Sequence, residues 1–204
     1  MITEKAPGTR REQKAATRSA LLVAARGIIA DHGLPGLTCR AVTQRAGVAS
    51  GTFFVHFTDS ASLVEALLDD HLAATLDDIE ASLPSGANLV DELVHVSLRL
   101  YDSYAVQPDL SRAFLTSNLF RSDRHGPTSM RLRAFAGWVG DRAAAAADRG
   151  ELERAVASRI VGVYLSLYFG LLVAGLRGEV TRSAQQDGLR WALDRLVGTS
   201  EPVR

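Results

Sequence analysis

The chain has one cysteine, Cys39, so it can form no internal disulfide and no cysteine metal cluster. It has no stretch of alternating apolar and polar residues long enough for a β-strand, which leaves all-α as the fold class. No glycine-rich loop leads into a Lys-Ser or Lys-Thr pair, and no dinucleotide fingerprint is present. No local signature of a Ser-His-Asp or Cys-His nucleophile appears either. On these absences no enzyme activity, cofactor or metal is expected. The N-terminal Met1-Ile2-Thr3-Glu4-Lys5 carries no apolar run, so no secretory leader is expected, and the location implied is cytoplasmic. The net charge is zero, which at first speaks against a nucleic-acid partner.

The distribution of that charge speaks the other way. Residues 1–60 hold eight Lys or Arg against four Asp or Glu, and residues 61–204 hold fifteen against nineteen. A basic N-terminal third on an acidic remainder is the footprint of a small DNA-binding head on a body that does not bind DNA. At 204 residues and 47% hydrophobic content the chain can bury a substantial core.

Residues 1–16 carry Pro7-Gly8, four basic groups and almost no large apolar side chain, and read as a disordered basic arm. Thr17 to Asp31 is an amphipathic helix with Leu21, Leu22, Ala25, Ile28 and Ile29 at three- and four-residue steps. Gly33, Pro35 and Gly36 stop it. Thr38 to Phe57 then reads as two short helices. Thr38 is the N-cap of the first, and Gly47 can take the left-handed conformation that ends it. Val42 faces Val48, Phe53 and Phe57 across the turn Ala46-Gly47-Val48. Two helices joined this tightly are either a plain helical hairpin in a core or a helix-turn-helix, whose second helix enters a DNA major groove; the small, neutral remainder of the second helix (Ser50, Gly51, Thr52, His56) favours the latter.

Asp59 or Ser60 starts a long helix to about Leu83, which connects head to body. Asn88 to Gln107 and Asp109 to Phe120 are further helices separated by Pro108, with Arg121 to Pro127 as a loop and Thr128 to Arg149 as the next helix. The segment Ala155 to Gly178 is the most hydrophobic, with seventeen uncharged residues from Ile160 to Leu176. That length touches the lower limit for a membrane span, but no second segment could pair with it in a bilayer. Gly162, Ser166, Gly170, Ala174 and Gly178 recur every four residues and make a smooth ridge that lets another helix approach closely. A helix apolar all round needs cover on all sides, from a partner subunit or from the interior of its own chain. Thr181 to Val197 follows with Leu189, Leu193 and Leu196 on one stripe.

Metal-like spacing occurs at Glu92-x-x-His95, with Asp69-Asp70-His71 on the long helix. Carboxylate metal bundles use the first motif twice together with further Glu residues, and here it occurs once. A solvated polar face accounts for both.

The ordered set Ala24-Ala25, His32-Gly33, Leu37-Thr38, Arg40, Ala46-Gly47-Val48, Gly51-Thr52-Phe53-Phe54, His56-Phe57, Leu63 and Ala66-Leu67 resembles the DNA-binding domain of the TetR family of bacterial transcription regulators. The likeness runs without gaps over roughly residues 17–68. It implies a helix-turn-helix domain at 17–62 and a ligand-binding and dimerisation domain at 63–204, about nine helices in all. It places Thr38, Arg40, Ala49, Ser50, Gly51, Thr52, Phe54, Val55, His56 and Ser60 at the DNA. The aromatic at 54 is commonly Tyr in the family, and Ser60 stands where a Lys is frequent, so two backbone contacts are missing. The resemblance also implies a homodimer through the last two helices (Gly162, Ser166, Gly170, Ala174, Gly178, Leu189, Leu193, Leu196). A small-molecule effector would bind in the body, with Tyr101, Tyr104, Phe114, Asn118, Phe135, Trp138, Tyr164 and Tyr168 as candidate contacts. The function implied is a ligand-responsive repressor on a double-stranded, palindromic operator. The alternative is a small-molecule or metal-binding helical bundle without DNA binding.

Overall fold

The computed structural model describes residues 9–118 and 127–198. Among them there are nine α-helices and no strand. The chain divides into two compact units, residues 1–68 and 69–204.

The first unit holds α1 (Arg10–His32), a 3-10 turn (Leu34–Gly36), α2 (Cys39–Arg45), α3 (Ser50–His56) and the start of α4 (Ser60–Ser82). The unstructured arm predicted for residues 1–16 does not extend over 9–16, and residues 1–8 lie outside the described part. α1 starts at Arg10 because Thr9 and Glu12 form a capping box. The Glu12 N–H donates to Thr9 Oγ1, and the Thr9 N–H donates to the Glu12 carboxylate at 2.6 Å. Leu21, Leu22, Ala24, Ala25 and Ile28 form the buried side of α1. They share the core of this unit with Val42, Phe53, Phe57 and Leu63, all nearly inaccessible to solvent. Each such side chain contributes about 1.5–3 kcal/mol. Asp59 accepts from the Ser62 N–H at 2.7 Å and so caps α4.

The second unit takes the rest of α4 and adds α5 (Leu89–Val106), α6 (Pro108–Asn118), α7 (Pro127–Asp148), α8 (Arg154–Leu176) and α9 (Arg182–Val197). The break expected at Pro108 is present: α5 ends at Val106 and Pro108 is the first residue of α6, where its missing N–H is not needed. The predicted loop from Arg121 lies outside the described residues up to 126. α5 packs against α6, α7, α8 and α9, and its Leu89, Leu93 and Val94 share a core with Val139, Ile160, Tyr164, Leu189 and Leu193.

α8 and α9 divide their faces sharply. Along α8 the buried residues are Ile160, Tyr164, Tyr168, Leu172 and Leu176, four apart. The ridge residues Gly162, Ser166, Gly170 and Ala174 are each two positions further on, about 200° round the helix. They point away from the chain's own core: the first three are exposed and Ala174 is half-buried. Three of the interface expectations need correction. Gly178 is not part of the ridge. It follows the helix end with φ +74, and the N–H groups of Gly178 and Glu179 reach back to the carbonyls of Gly175 and Ala174. It is a helix-terminating glycine, and a four-residue period cannot distinguish that role from a ridge position. Leu189 and Leu193 are fully buried inside this one chain, so they are core. Leu196 is partly buried against the same core. On the outward side of α9, Asp187, Trp191, Asp194 and Arg195 are exposed and Gly188 is half-buried; Trp191 is 64% exposed, with the Arg195 guanidinium 5.5 Å from its ring.

Candidate nucleic-acid interface and body cavity

Two short helices hold the first site. Thr38 caps α2 by accepting from the Ala41 N–H at 3.1 Å. Gly47 has φ +68 and lets the chain reverse, while the Val48 N–H returns to the Thr43 carbonyl at 3.0 Å. A side chain at 47 would be strained whatever the space around it. α3 follows with Ala49 at its N-cap. Phe53 turns inward and is fully buried, its ring 5.6 Å from that of Phe57.

This anchoring fixes what α3 presents outward. Ala49, Ser50, Gly51, Phe54 and Val55 are exposed, and Thr52 and His56 are half-buried. Phe54 and Val55 are each 63% exposed, an apolar contact surface that water does not favour. Arg40, in the first turn of α2, is also exposed, and Ser60 is half-buried with its Oγ 3.7 Å from Cys39 Sγ. Ten residues expected at DNA therefore lie on or beside the two motif helices. Lys14 and Arg18 were not singled out by sequence reasoning. Both reach His56 electrostatically from α1, and the Arg18 guanidinium lies 4.7 Å above the Phe57 ring. Burial, with Lys14 and Arg18 adding to it, holds His56 below the ordinary histidine range, so it is neutral near pH 7. A neutral imidazole still offers one N–H donor. The signal that could have found these two cations is helical: Lys14, Arg18 and Leu21 lie at four- and three-residue steps on one side of α1.

Arg45 is engaged elsewhere. It pairs with Asp31 of α1, holding that carboxyl below its usual range. Its guanidinium fills the space where a side chain on Gly27 would stand.

The second site is a cavity of about 360 Å³ inside the body unit. Leu72 and Leu76 of α4, Leu100 and Tyr104 of α5, Phe114 and Leu115 of α6, Arg131, Leu132 and Phe135 of α7, and Tyr168 and Phe169 of α8 line it, with Asp69. Arg131 Nε donates to Asp69 Oδ1 at 3.1 Å. Four of the eight residues expected at an effector, Tyr104, Phe114, Phe135 and Tyr168, are in this lining. Tyr101 is directed elsewhere: its ring stacks on Tyr168 at 5.3 Å and its hydroxyl donates to the Tyr168 carbonyl. Tyr164 is core, its hydroxyl bonded to Ser97 Oγ at 2.8 Å and donating weakly to the Leu93 carbonyl. Trp138 stacks on Phe135 behind the lining. Asn118 ends α6, and its side chain is outside the described part. Burial pushes the phenols of Tyr101, Tyr104, Tyr164 and Tyr168 above their ordinary range, so all four stay neutral.

The metal-like residues are engaged in other bonds. Glu92 faces Arg142 at 3.5 Å, and His95 Nε2 lies 3.1 Å from Ser82 Oγ. His71 Nε2 is 3.1 Å from the Ser103 carbonyl. Among the described residues no group of three His, Cys, Asp or Glu is placed to hold an ion. α8 is the one described helix long and apolar enough to cross a membrane.

Residues 21–67 match the family model for bacterial regulatory proteins of the tetR family. The chain is 27% identical over 187 residues to the HTH-type transcriptional repressor AcnR of Corynebacterium efficiens, spanning 90% of this chain and 92% of that one. It is 27% identical over 115 residues to an uncharacterized HTH-type transcriptional regulator of Mycobacterium bovis, of whose length it covers 61%. Among solved structures, a TetR transcriptional regulator from Rhodococcus sp. RHA1 superposes with a TM-score of 0.70 at 23% identity, covering 93% of this chain and all of that one. The multidrug binding protein EbrR, solved with imidazole, superposes with a TM-score of 0.64 at 20% identity over the whole of this chain and 99% of its own.

Proposed function

Because this chain belongs to the TetR family of bacterial regulatory proteins, we propose that it is a ligand-responsive repressor acting in the cytoplasm as a homodimer on a palindromic operator. The observation that carries the reading is the division of α3, with Phe53 sealed inside and Phe54 and Val55 turned out beside Ser50 and Thr52. Ser50 and Thr52 reach base edges or phosphates, Phe54 packs on a thymine methyl, and the neutral His56 donates to a phosphate. Arg40 forks onto a guanine or a phosphate. The printed descriptions of AcnR as a repressor and of EbrR as a multidrug binding protein point in the same direction.

Dimerisation follows from the exposed side of α8, corrected as above: Gly162, Ser166, Gly170 and Ala174 meet their copies, with Gly188, Trp191 and Arg195 of α9 beside them. A helix with so much apolar surface turned away from its own core is stable in water only when that surface is covered. Two heads in such a dimer read half-sites with centres about 10 bp or a multiple apart. The effector enters the body cavity, and it releases DNA only if it binds the released state more tightly than the bound one. The chain has no catalytic role in this reading.

Selection from a randomised duplex pool tests it. Enrichment of an inverted repeat, bound far more tightly than unrelated DNA at physiological salt, is expected. Uniform binding to every sequence, or none at low salt, would reject it.

A further inference from the structure

The lining of the body cavity also bears on the charge of what enters it, and this inference rests on reading that cavity as the effector site. At about 360 Å³ the cavity lies near the lower end of the range for small-molecule sites, about 300–1,000 Å³, so its ligand is compact. Eight of the twelve lining side chains are Leu or Phe. Tyr104 and Tyr168 add phenols that burial keeps protonated, so they carry no charge. The lining then holds one carboxylate and one guanidinium, and these are joined to each other: Arg131 Nε donates to Asp69 Oδ1 at 3.1 Å. Both are largely withdrawn from water, with 14% of the Asp69 side chain and 30% of the Arg131 side chain exposed.

This pair disfavours a ligand charge of either sign. An organic acid that took Arg131 would separate it from Asp69, and an organic cation that took Asp69 would separate it from Arg131. Each replaces one ion pair by another, so the ligand's charge gains no pair that the protein did not already have. Sharing is no better, because an acid on Arg131 then lies beside Asp69 and a cation on Asp69 lies beside Arg131. Either ion also gives up its own water, a loss that an ion pair offsets only with excellent geometry and further hydrogen bonds. A neutral ligand leaves the pair as it stands and buries hydrocarbon against the Leu and Phe side chains.

We propose that the effector is a compact, uncharged, largely hydrocarbon molecule that enters with the Asp69–Arg131 pair intact. The pair acts as a selectivity element. Asp69 on α4 and Arg131 on α7 close off, each with the other, the one place in the lining where a ligand charge could be held. Organic acids and organic cations of the same shape are both discriminated against.

Calorimetric titration of the full chain with three probes of one shape tests this: 2-acetylnaphthalene, 2-naphthoate and 2-naphthylmethylammonium. The ketone is expected to bind at least about tenfold tighter than either ion. Asp69→Asn leaves the Arg131 charge in the lining without that partner. It is expected to tighten 2-naphthoate about tenfold and to leave the ketone within about twofold of its first value. An unchanged ratio of naphthoate to ketone removes the pair as the source of selectivity and overturns the proposal. Should that variant not fold, the three affinities of the unaltered chain decide. Either ion binding as tightly as the ketone overturns the proposal and leaves the cavity as the effector site. Binding of no probe, or ketone binding untouched by both Leu76→Trp and Phe169→Trp, which fill the cavity from α4 and from α8, overturns the cavity reading and the proposal with it.

Discussion

α3 and α8 both turn apolar side chains toward water, and they do so in opposite electrostatic settings. On α3 the exposed Phe54 and Val55 stand beside His56, with Arg40, Lys14 and Arg18 on neighbouring helices of the same unit. On α8 the outward ridge Gly162, Ser166, Gly170 runs along seventeen uncharged residues. A surface meant for DNA keeps a small apolar contact inside a cationic frame, because the phosphates supply most of the affinity. On the proposed reading, the part of α8 that meets a second copy carries no charge, because a charge near the two-fold axis would meet itself, and Arg195 of α9 lies beside that part rather than in it.

The most severe way to break this contrast is to put a charge on α8. In Gly170→Glu a carboxylate would be buried against its own copy, and an unpaired buried charge costs about 3–5 kcal/mol. Sedimentation is expected to find monomer where the parent chain is dimeric, with operator binding lost and each chain still helical. A variant that remains dimeric would remove this face from the interface. Next in size is Arg40→Ala, expected to cost about 1–3 kcal/mol of operator affinity if its contact is bidentate to guanine, read by fluorescence anisotropy. The same change is expected to leave dimerisation untouched, which separates the two surfaces. Thr9→Ala breaks the capping box of α1 and is expected to lower stability by about 0.5–1 kcal/mol in a thermal melt.

The smallest effect is a pH dependence confined to the head. The folded-state pKa of His56 is depressed, so the folded chain binds fewer protons there than the unfolded chain does. Its contribution therefore destabilises the free protein as pH falls below about 6.5. On DNA the sign reverses, because protonation beside a phosphate is favourable. Operator affinity is expected to rise modestly from pH 7.5 to 5.5 and to stay flat in His56→Gln, while dimerisation stays constant in both.

The head was readable in the sequence because its determinants are local. Thr38, Gly47 and the spacing of Val42, Phe53 and Phe57 lie within twenty residues, and each has one role at its position. The early start of α1 was also encoded, in Thr9-Arg10-Arg11-Glu12, but the basic composition around it concealed the capping box. The body was readable only as helices. The amphipathic stripe of Leu189 and Leu193 shows that α9 buries a face, and periodicity alone cannot tell whether that face meets its own chain or a copy. The lining of the cavity was half visible, since aromatics announce themselves as bulky groups. The Asp69–Arg131 pair was not visible: its partners lie 62 residues apart, and nothing in either local pattern marks the other.

The most direct test is a hydroxyl-radical footprint of the selected duplex, with the protein-to-DNA stoichiometry measured on the same sample. Two protected half-sites about one helical turn or a multiple of it apart, occupied by two chains, are expected. A single protected half-site occupied by one chain, or an even protection that follows no sequence, would contradict it.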